Sequence, residues 1–281
     1  FYIMFFLFKE ILLILIIILI MQQMHTYNHT KTANDAVINE TVFQSFKRDK
    51  EFTHILEHVS YQQGIQYIKF INQLIHDNKF EHLMWNKYIE NDIYGNPIKF
   101  DFSTQLNDIK NINTKHISPT TLRYICFGLQ LYIYIKQLGK NEISIIEVGG
   151  GYGGQCKILF DICKQFNINI KKYTIIDLES MSKLQKKYLD KLNVKNIITL
   201  SNMECLNKLD ESYDLFISNY ALGEFTTDVQ DFYIKNVLNR CNNYFITWNS
   251  PPINNNLKVV NIKEEIPQTG HAQFPNIILT N

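Results

Sequence analysis

The stretch "IIEVGGGYGGQCKIL", residues 145–159, runs from apolar residues ending in an acid, through five glycines around one tyrosine, into a helical pattern. A strand, a glycine-rich turn and a helix in succession mark the start of an α/β unit built to bring backbone close to a ligand. Three kinds of ligand compete for such a turn. A nucleoside triphosphate loop needs Lys-Ser or Lys-Thr after the glycines, and neither follows here. A dinucleotide loop needs G-x-G-x-x-G, which Gly149, Gly151 and Gly154 satisfy, with Asp177 as the acid ending the next strand. Glu147, two residues before the first glycine, opposes that second reading. A carboxylate there repels a pyrophosphate and attracts a cation.

The cation that fits is the sulfonium and ammonium end of S-adenosylmethionine. On this reading Gly149, Gly150, Gly151, Tyr152 and Gly153 form the donor loop with Glu147, and Asp177, followed by Leu178, accepts the ribose hydroxyls. The turn at Ser201, Asn202 and Met203 lies where adenine would sit, with Met203 as an apolar cover.

Outward from the loop, short apolar runs alternate with helical patterns. "EISIIEV", "KYTIID", "NIITL", "YDLFISN" and "NYFITW" read as strands, separated by helices around residues 152–166, 180–192 and 227–240. The expected fold is α/β, a Rossmann-like, doubly wound and mostly parallel sheet over 118–281. "KVVNIKEEIP" and "NIILTN" are expected to add edge strands. Upstream, "SPTTLRYICFGLQLYIYIKQLG" predicts a helix with Ser118 as N-cap, Pro119 in its first turn and Gly139 past its end. Residues 40–117 carry amphipathic patterns, including Ile65, Ile68, Ile71 and Leu74, and predict a helical N-terminal region. Residues 22–39 are polar without periodicity and read as a linker.

Residues 1–21 are apolar apart from Lys9 and Glu10, and the unbroken run Ile11–Met21 is shorter than the roughly 20 residues that span a bilayer. A signal anchor is the first reading, a signal peptide the second and a buried helix the third. A membrane-anchored protein with a cytosolic catalytic domain follows. If translation truly starts at Met4 and part of the stretch is an artefact, the protein is cytoplasmic.

The 281 residues carry 28 basic and 27 acidic side chains, a net charge of +1, so bulk electrostatics offers no case for nucleic acid as a partner. Five cysteines without a C-x-x-C pair read as reduced thiols. His54 and His58 are four apart on a helical pattern, but no third ligand accompanies them, and no metal site is assigned.

Beyond the loop, several blocks stand in one order: "SPTTLRY" (118–124), "YTIIDL" (173–178), "LQKKYL" (184–189), "YDLFISNYALGEF" (213–225), "VQDFYIKNVL" (229–238) and "TWNSP" (247–251). Together with the glycine loop they resemble the sugar O-methyltransferase family over residues 116–281. The resemblance implies a class I, S-adenosylmethionine-dependent fold and a sugar hydroxyl, in a glycan or an activated sugar, as methyl acceptor. The chain departs from the family at Gly223, where a small polar residue, usually serine, precedes the glutamate.

Methyl transfer is an in-line displacement in which positioning supplies much of the catalysis and a base removes the hydroxyl proton. "SNYALGEF" follows the fourth strand and places Asn219, Tyr220 and Glu224 near the donor's methyl, with Asn219 as a candidate donor ligand. Glu224 is the candidate general base or sugar-orienting carboxylate, with Tyr220 beside it and His271 as a rival base. Asn249, after the fifth strand, and Arg123 and Tyr124, in the first turns of the preceding helix, are candidate substrate ligands. An NAD-dependent oxidoreductase and a non-catalytic module with the same fold are the alternatives. The sequence lacks a Tyr-x-x-x-Lys hydride-transfer set, which weighs against the first.

Overall fold

A computed structural model describes residues 28–80, 82–103, 116–202, 205–268 and 274–281. Met203, His271 and the apolar stretch 1–21 lie outside the described residues.

Among the described residues seven strands form one sheet: β1 (Glu142–Val148), β2 (Asn169–Asp177), β3 (Ile197–Ser201), β4 (Tyr213–Asn219), β5 (Cys241–Trp248), β6 (Asn261–Glu264) and β7 (Ile277–Thr280). Their order is β3-β2-β1-β4-β5-β7-β6. The first five pair in parallel, and β7 runs antiparallel to both β5 and β6. This is the doubly wound, Rossmann-like arrangement expected from the alternating pattern, and the two terminal stretches do supply its edge. The order reverses at β1 and β4, so a crevice opens beyond their carboxyl ends.

Alternation along each strand divides the core into two layers. Ile143, Ile145, Tyr173, Ile175, Leu215 and Ile217 face one side. Ile146, Val148, Ile176, Phe216, Tyr244 and Ile246 face the other, with Val229, Tyr233 and Ile234 of the helix Thr227–Asn236. Both faces of β1 therefore bury apolar side chains, as a central parallel strand requires, with Glu147 the acid among them.

The helical N-terminal region packs on the first face. Asn28–Ile38 forms a helix, labelled α1, and not the linker expected from its polarity. It buries Ala33 and Ala36, and Lys187 donates to the carbonyls of Ala36 and Val37 at 2.9 and 3.2 Å, satisfying helix-end acceptors from a distant element. Helix α2 (Tyr61–Asp77) opens with a capping box between Ser60 and Gln63 and buries Tyr67, Ile68 and Ile71. Helix α3 (Pro119–Gln137) is capped by Ser118, whose hydroxyl accepts from the Thr121 amide at 3.1 Å. Helices α4 (Gly154–Gln165) and α5 (Glu179–Lys191) follow β1 and β2. Among the described residues no helix is long and apolar enough to cross a membrane, and all five cysteines are free thiols.

Candidate active site

A cavity of about 630 Å³ lies in the crevice, lined by residues that follow β1, β2, β3, β4 and β5 and by the first turns of α3. Glu147, one residue from the end of β1, is 1% exposed, and its Oε2 accepts from the Tyr173 hydroxyl at 3.0 Å. Burial raises its pKa to about 7; the Tyr173 hydrogen bond opposes the rise and the negative charge of Asp177 adds to it.

The glycine loop turns tightly over this acid. The Gly149 amide donates to the Ile176 carbonyl at 2.9 Å, and Gly153 donates to Gly150 at 3.0 Å. Gly149 has φ +78°, and a Cβ there would lie 2.2 Å from the Ala221 side chain, so the loop touches the segment after β4 with no room for a side chain. Gly149, Gly150 and Gly151 line the cavity together with Asp177, Leu178 and Asn202.

Asp177 ends β2. Its Oδ1 accepts from the Leu178 amide at 2.8 Å and its Oδ2 from Gln185 Nε2 at 2.9 Å. Burial again raises the pKa to about 7 against these hydrogen bonds and those of the Gly151 and Gly150 amides. The same Gln185 nitrogen reaches the Gly151 carbonyl at 2.7 Å, fastening loop to acid. Gln185 carries no motif of its own in the sequence. Its signal was a polar residue on the buried side of an amphipathic helix.

Two loop residues assigned to the donor lie elsewhere. Tyr152 is fully buried away from the cavity, its ring 5.1 Å from Tyr188, 5.7 Å from Phe46 and 5.9 Å from Tyr124, with the Lys47 ammonium 4.1 Å from its centroid. Gly153 is the left-handed N-cap of α4 and packs on Leu189. The chain reverses at the glycines, so the second half of the loop faces the N-terminal helices.

The other half of the cavity holds Asn219, assigned to the donor, with Tyr220 and Glu224, assigned to catalysis, and Arg123, Tyr124 and Asn249, assigned to the substrate. Asn219 Oδ1 accepts from Thr247 Oγ1 at 2.9 Å, which leaves its buried Nδ2 without a partner. Asn249 Nδ2 donates to Glu224 Oε1 at 2.7 Å, which leaves its buried Oδ1 unpaired. Glu224 stands exposed at the rim, its pKa raised by desolvation against the Asn249 hydrogen bond. Tyr220 adopts φ +69°, a left-handed conformation that costs a non-glycine residue on the order of 1 kcal/mol or more. Its hydroxyl donates to Glu265, and the Arg123 guanidinium lies 5.7 Å from its ring centroid.

Arg123 is 7% exposed, donates to the Leu56 carbonyl at 3.2 Å, and stands 3.4 Å from His58 Nε2. His58 Nδ1 faces the Ile55 carbonyl at 3.0 Å, which assigns the ring proton to Nδ1 and makes Nε2 the acceptor. Tyr124, beside Arg123, also lines the cavity. His54 and His58, read as a bare metal spacing, instead form part of the wall, and among the described residues no three metal-ligating side chains gather.

Glu265 and Asn276 were missed. They belong to a weakly patterned C-terminal segment whose relation to β4 exists only after folding.

No family model matches the chain, and no curated protein sequence matches it. Among solved structures it is similar to protein 1320 of Thermoplasma acidophilum, at 14% identity over 55% of this chain and 87% of that one, TM-score 0.38. It is similar to a methyltransferase of Aquifex aeolicus, described as S-adenosylmethionine-dependent, at 14% identity over 53% and 87% of the two chains, TM-score 0.37. A third is the magnesium protoporphyrin IX methyltransferase of Synechocystis, at 14% identity over 57% and 85%, TM-score 0.37.

Proposed function

We propose that the protein is an S-adenosylmethionine-dependent O-methyltransferase that methylates a sugar hydroxyl. The observation that carries this reading is the pair of carboxyl groups, buried Glu147 and half-buried Asp177, at the ends of adjacent strands beside a glycine loop. A dinucleotide would bring a pyrophosphate to the loop, against Glu147, whereas Asp177 suits the ribose of either ligand. S-adenosylmethionine brings a sulfonium, an ammonium and two ribose hydroxyls, each complementary to a carboxylate. Gly149 to Gly151 supply the close backbone approach, and Asn202 borders the adenine end.

The acceptor half suits a polyhydroxylated molecule. Asn219 offers a donor, Asn249 an acceptor and Glu224 a carboxylate, and each amide is oriented by a partner on its other atom. Glu224 engages the sugar, while Arg123 and Tyr124 border it. We place the catalytic face in the cytosol, where the donor is made.

Calorimetric titration of the purified protein with S-adenosylmethionine, S-adenosylhomocysteine and NAD tests the reading. Micromolar binding of the first two is expected, followed by methyl transfer to a member of a panel of hexoses, uronic acids and nucleotide sugars. Binding of NAD alone overturns it.

A further inference from the structure

Within the proposed transferase reading, we infer that Glu265, reached through the Tyr220 hydroxyl, is the group that takes the acceptor's proton. Glu265 follows β6 and is fully buried, and its two oxygens are held by two cavity-lining residues. Oε1 accepts from the Tyr220 hydroxyl and Oε2 from Asn276 Nδ2 at 2.6 Å. The Glu265 amide donates to the Asn276 carbonyl at 2.9 Å, so carboxylate and asparagine are fixed to one another.

Tyr220 immediately follows Asn219 at the mouth of β4, and its left-handed backbone is pinned by its amide donating to the Thr247 carbonyl at 2.9 Å. The Phe127 ring packs edge-on against it at 5.9 Å, and Arg123 covers its face. A nearby guanidinium favours negative charge on the phenol oxygen during transfer. Glu224 lacks these features. It stands at the exposed rim with one oxygen already committed to Asn249, which suits it to orient the sugar.

In the reaction the acceptor oxygen bonds to the methyl carbon as the carbon–sulfur bond breaks, and that bonding pair stays on sulfur as a neutral thioether. The hydroxyl proton passes to Tyr220 Oη while the tyrosine's own proton moves to Glu265 Oε1. One sulfonium cation and one carboxylate anion are consumed together, and the carboxylic acid returns its proton to solvent after product release. Among the described residues, the ionisable groups facing Glu265 are Tyr220 after β4, and Arg123 and Cys126 on α3.

The test uses the full chain and the acceptor found in the sugar panel. Glu265→Gln should lower kcat about 100-fold or more, the scale of acid–base catalysis, while S-adenosylhomocysteine affinity stays within twofold. Glu265→Asp should recover part of the loss, Tyr220→Phe should match Glu265→Gln, and the double variant should be no slower than either. The acid limb of the kcat–pH profile should vanish in Glu265→Gln. Retention of kcat within threefold, or additive losses in the double variant, overturns the proposal. If Glu265→Gln melts below the assay temperature, Tyr220→Phe, which removes one atom, decides. Wild-type protein that binds no S-adenosylhomocysteine defeats the transferase reading itself, whereas an active wild type with an active Glu265→Gln defeats only this inference.

Discussion

Glu147 is a buried acid whose charge is useful only when a cation sits beside it. In the ligand-free protein its pKa stands near 7 against an ordinary value of 4.5, so the folded state holds a proton that the unfolded chain releases. Its contribution is therefore fully present below pH 4.5 and is lost as pH rises through 7, at a cost on the order of 3 kcal/mol. Urea midpoints of the ligand-free protein should fall between pH 5 and 7.5. Glu147→Gln should reduce that slope, leaving the share of Asp177, whose pKa is raised in the same window, and it should stabilise the protein at pH 7.5 and abolish S-adenosylhomocysteine binding in calorimetry. Gly149→Ala should act in the opposite sense on stability, losing about 3 kcal/mol by urea titration, because a positive φ and a Cβ 2.2 Å from Ala221 must both be accommodated. Gly223, where the resembling family carries a small polar residue, is buried with Asn249 Oδ1 3.0 Å from where its Cβ would lie. Gly223→Ser should give that orphaned oxygen a donor once the amide shifts by a few tenths of an ångström.

Among the elements, α3 couples the two halves of the site. Its N-terminus is held by Asp92, fully buried, which accepts from the Ser118 amide at 2.6 Å, the Ser118 hydroxyl at 2.8 Å and the Thr121 hydroxyl at 2.7 Å. Asp92→Ala strips three partners at once and should cost about 3 kcal/mol or more in a thermal melt. Arg123 and Tyr124 ride on the turn that would loosen, so acceptor affinity should fall with stability. The cap of α3 was readable because Ser-Pro is a local signal; Asp92 was not, because its bonds span 26 to 29 residues. The same division explains α1. Its buried side consists of little more than two alanines, too weak a stripe to register as amphipathic, and its end is satisfied by Lys187 from α5. Polarity alone described it as a linker, and tertiary contacts made it a helix.

For the whole molecule, the sheet was readable from the alternation of short apolar runs with helical patterns, since buried parallel strands leave that mark directly. The donor half of the cavity followed, because Glu147, Gly149 and Asp177 sit at strand ends fixed by the same pattern. The acceptor half did not follow as far. Leu56 and His58 come from the N-terminal layer, and Asn276 from the far end of the chain, so only the folded structure brings them to Arg123 and Tyr220. Tyr152 misled for a related reason: a tyrosine among glycines looks like a ligand contact, whereas here it belongs to the layer in front. A ligand filling both halves should stabilise the whole chain, by about 2.7 kcal/mol at one hundred times its Kd, read as a rise in melting temperature.

The placement of Tyr152 also bears on cooperativity. Its ring is shared by Phe46 and Phe52 of the N-terminal layer and by Tyr124 and Tyr188 of the sheet domain, around a buried Lys47. The boundary near residue 118 is thus a boundary of sequence pattern and not of folding. Amides in residues 46–56 and in the glycine loop should exchange with solvent deuterium through one common opening, and a donor that grips the loop should slow exchange at Phe46 and Phe52, which do not line the cavity.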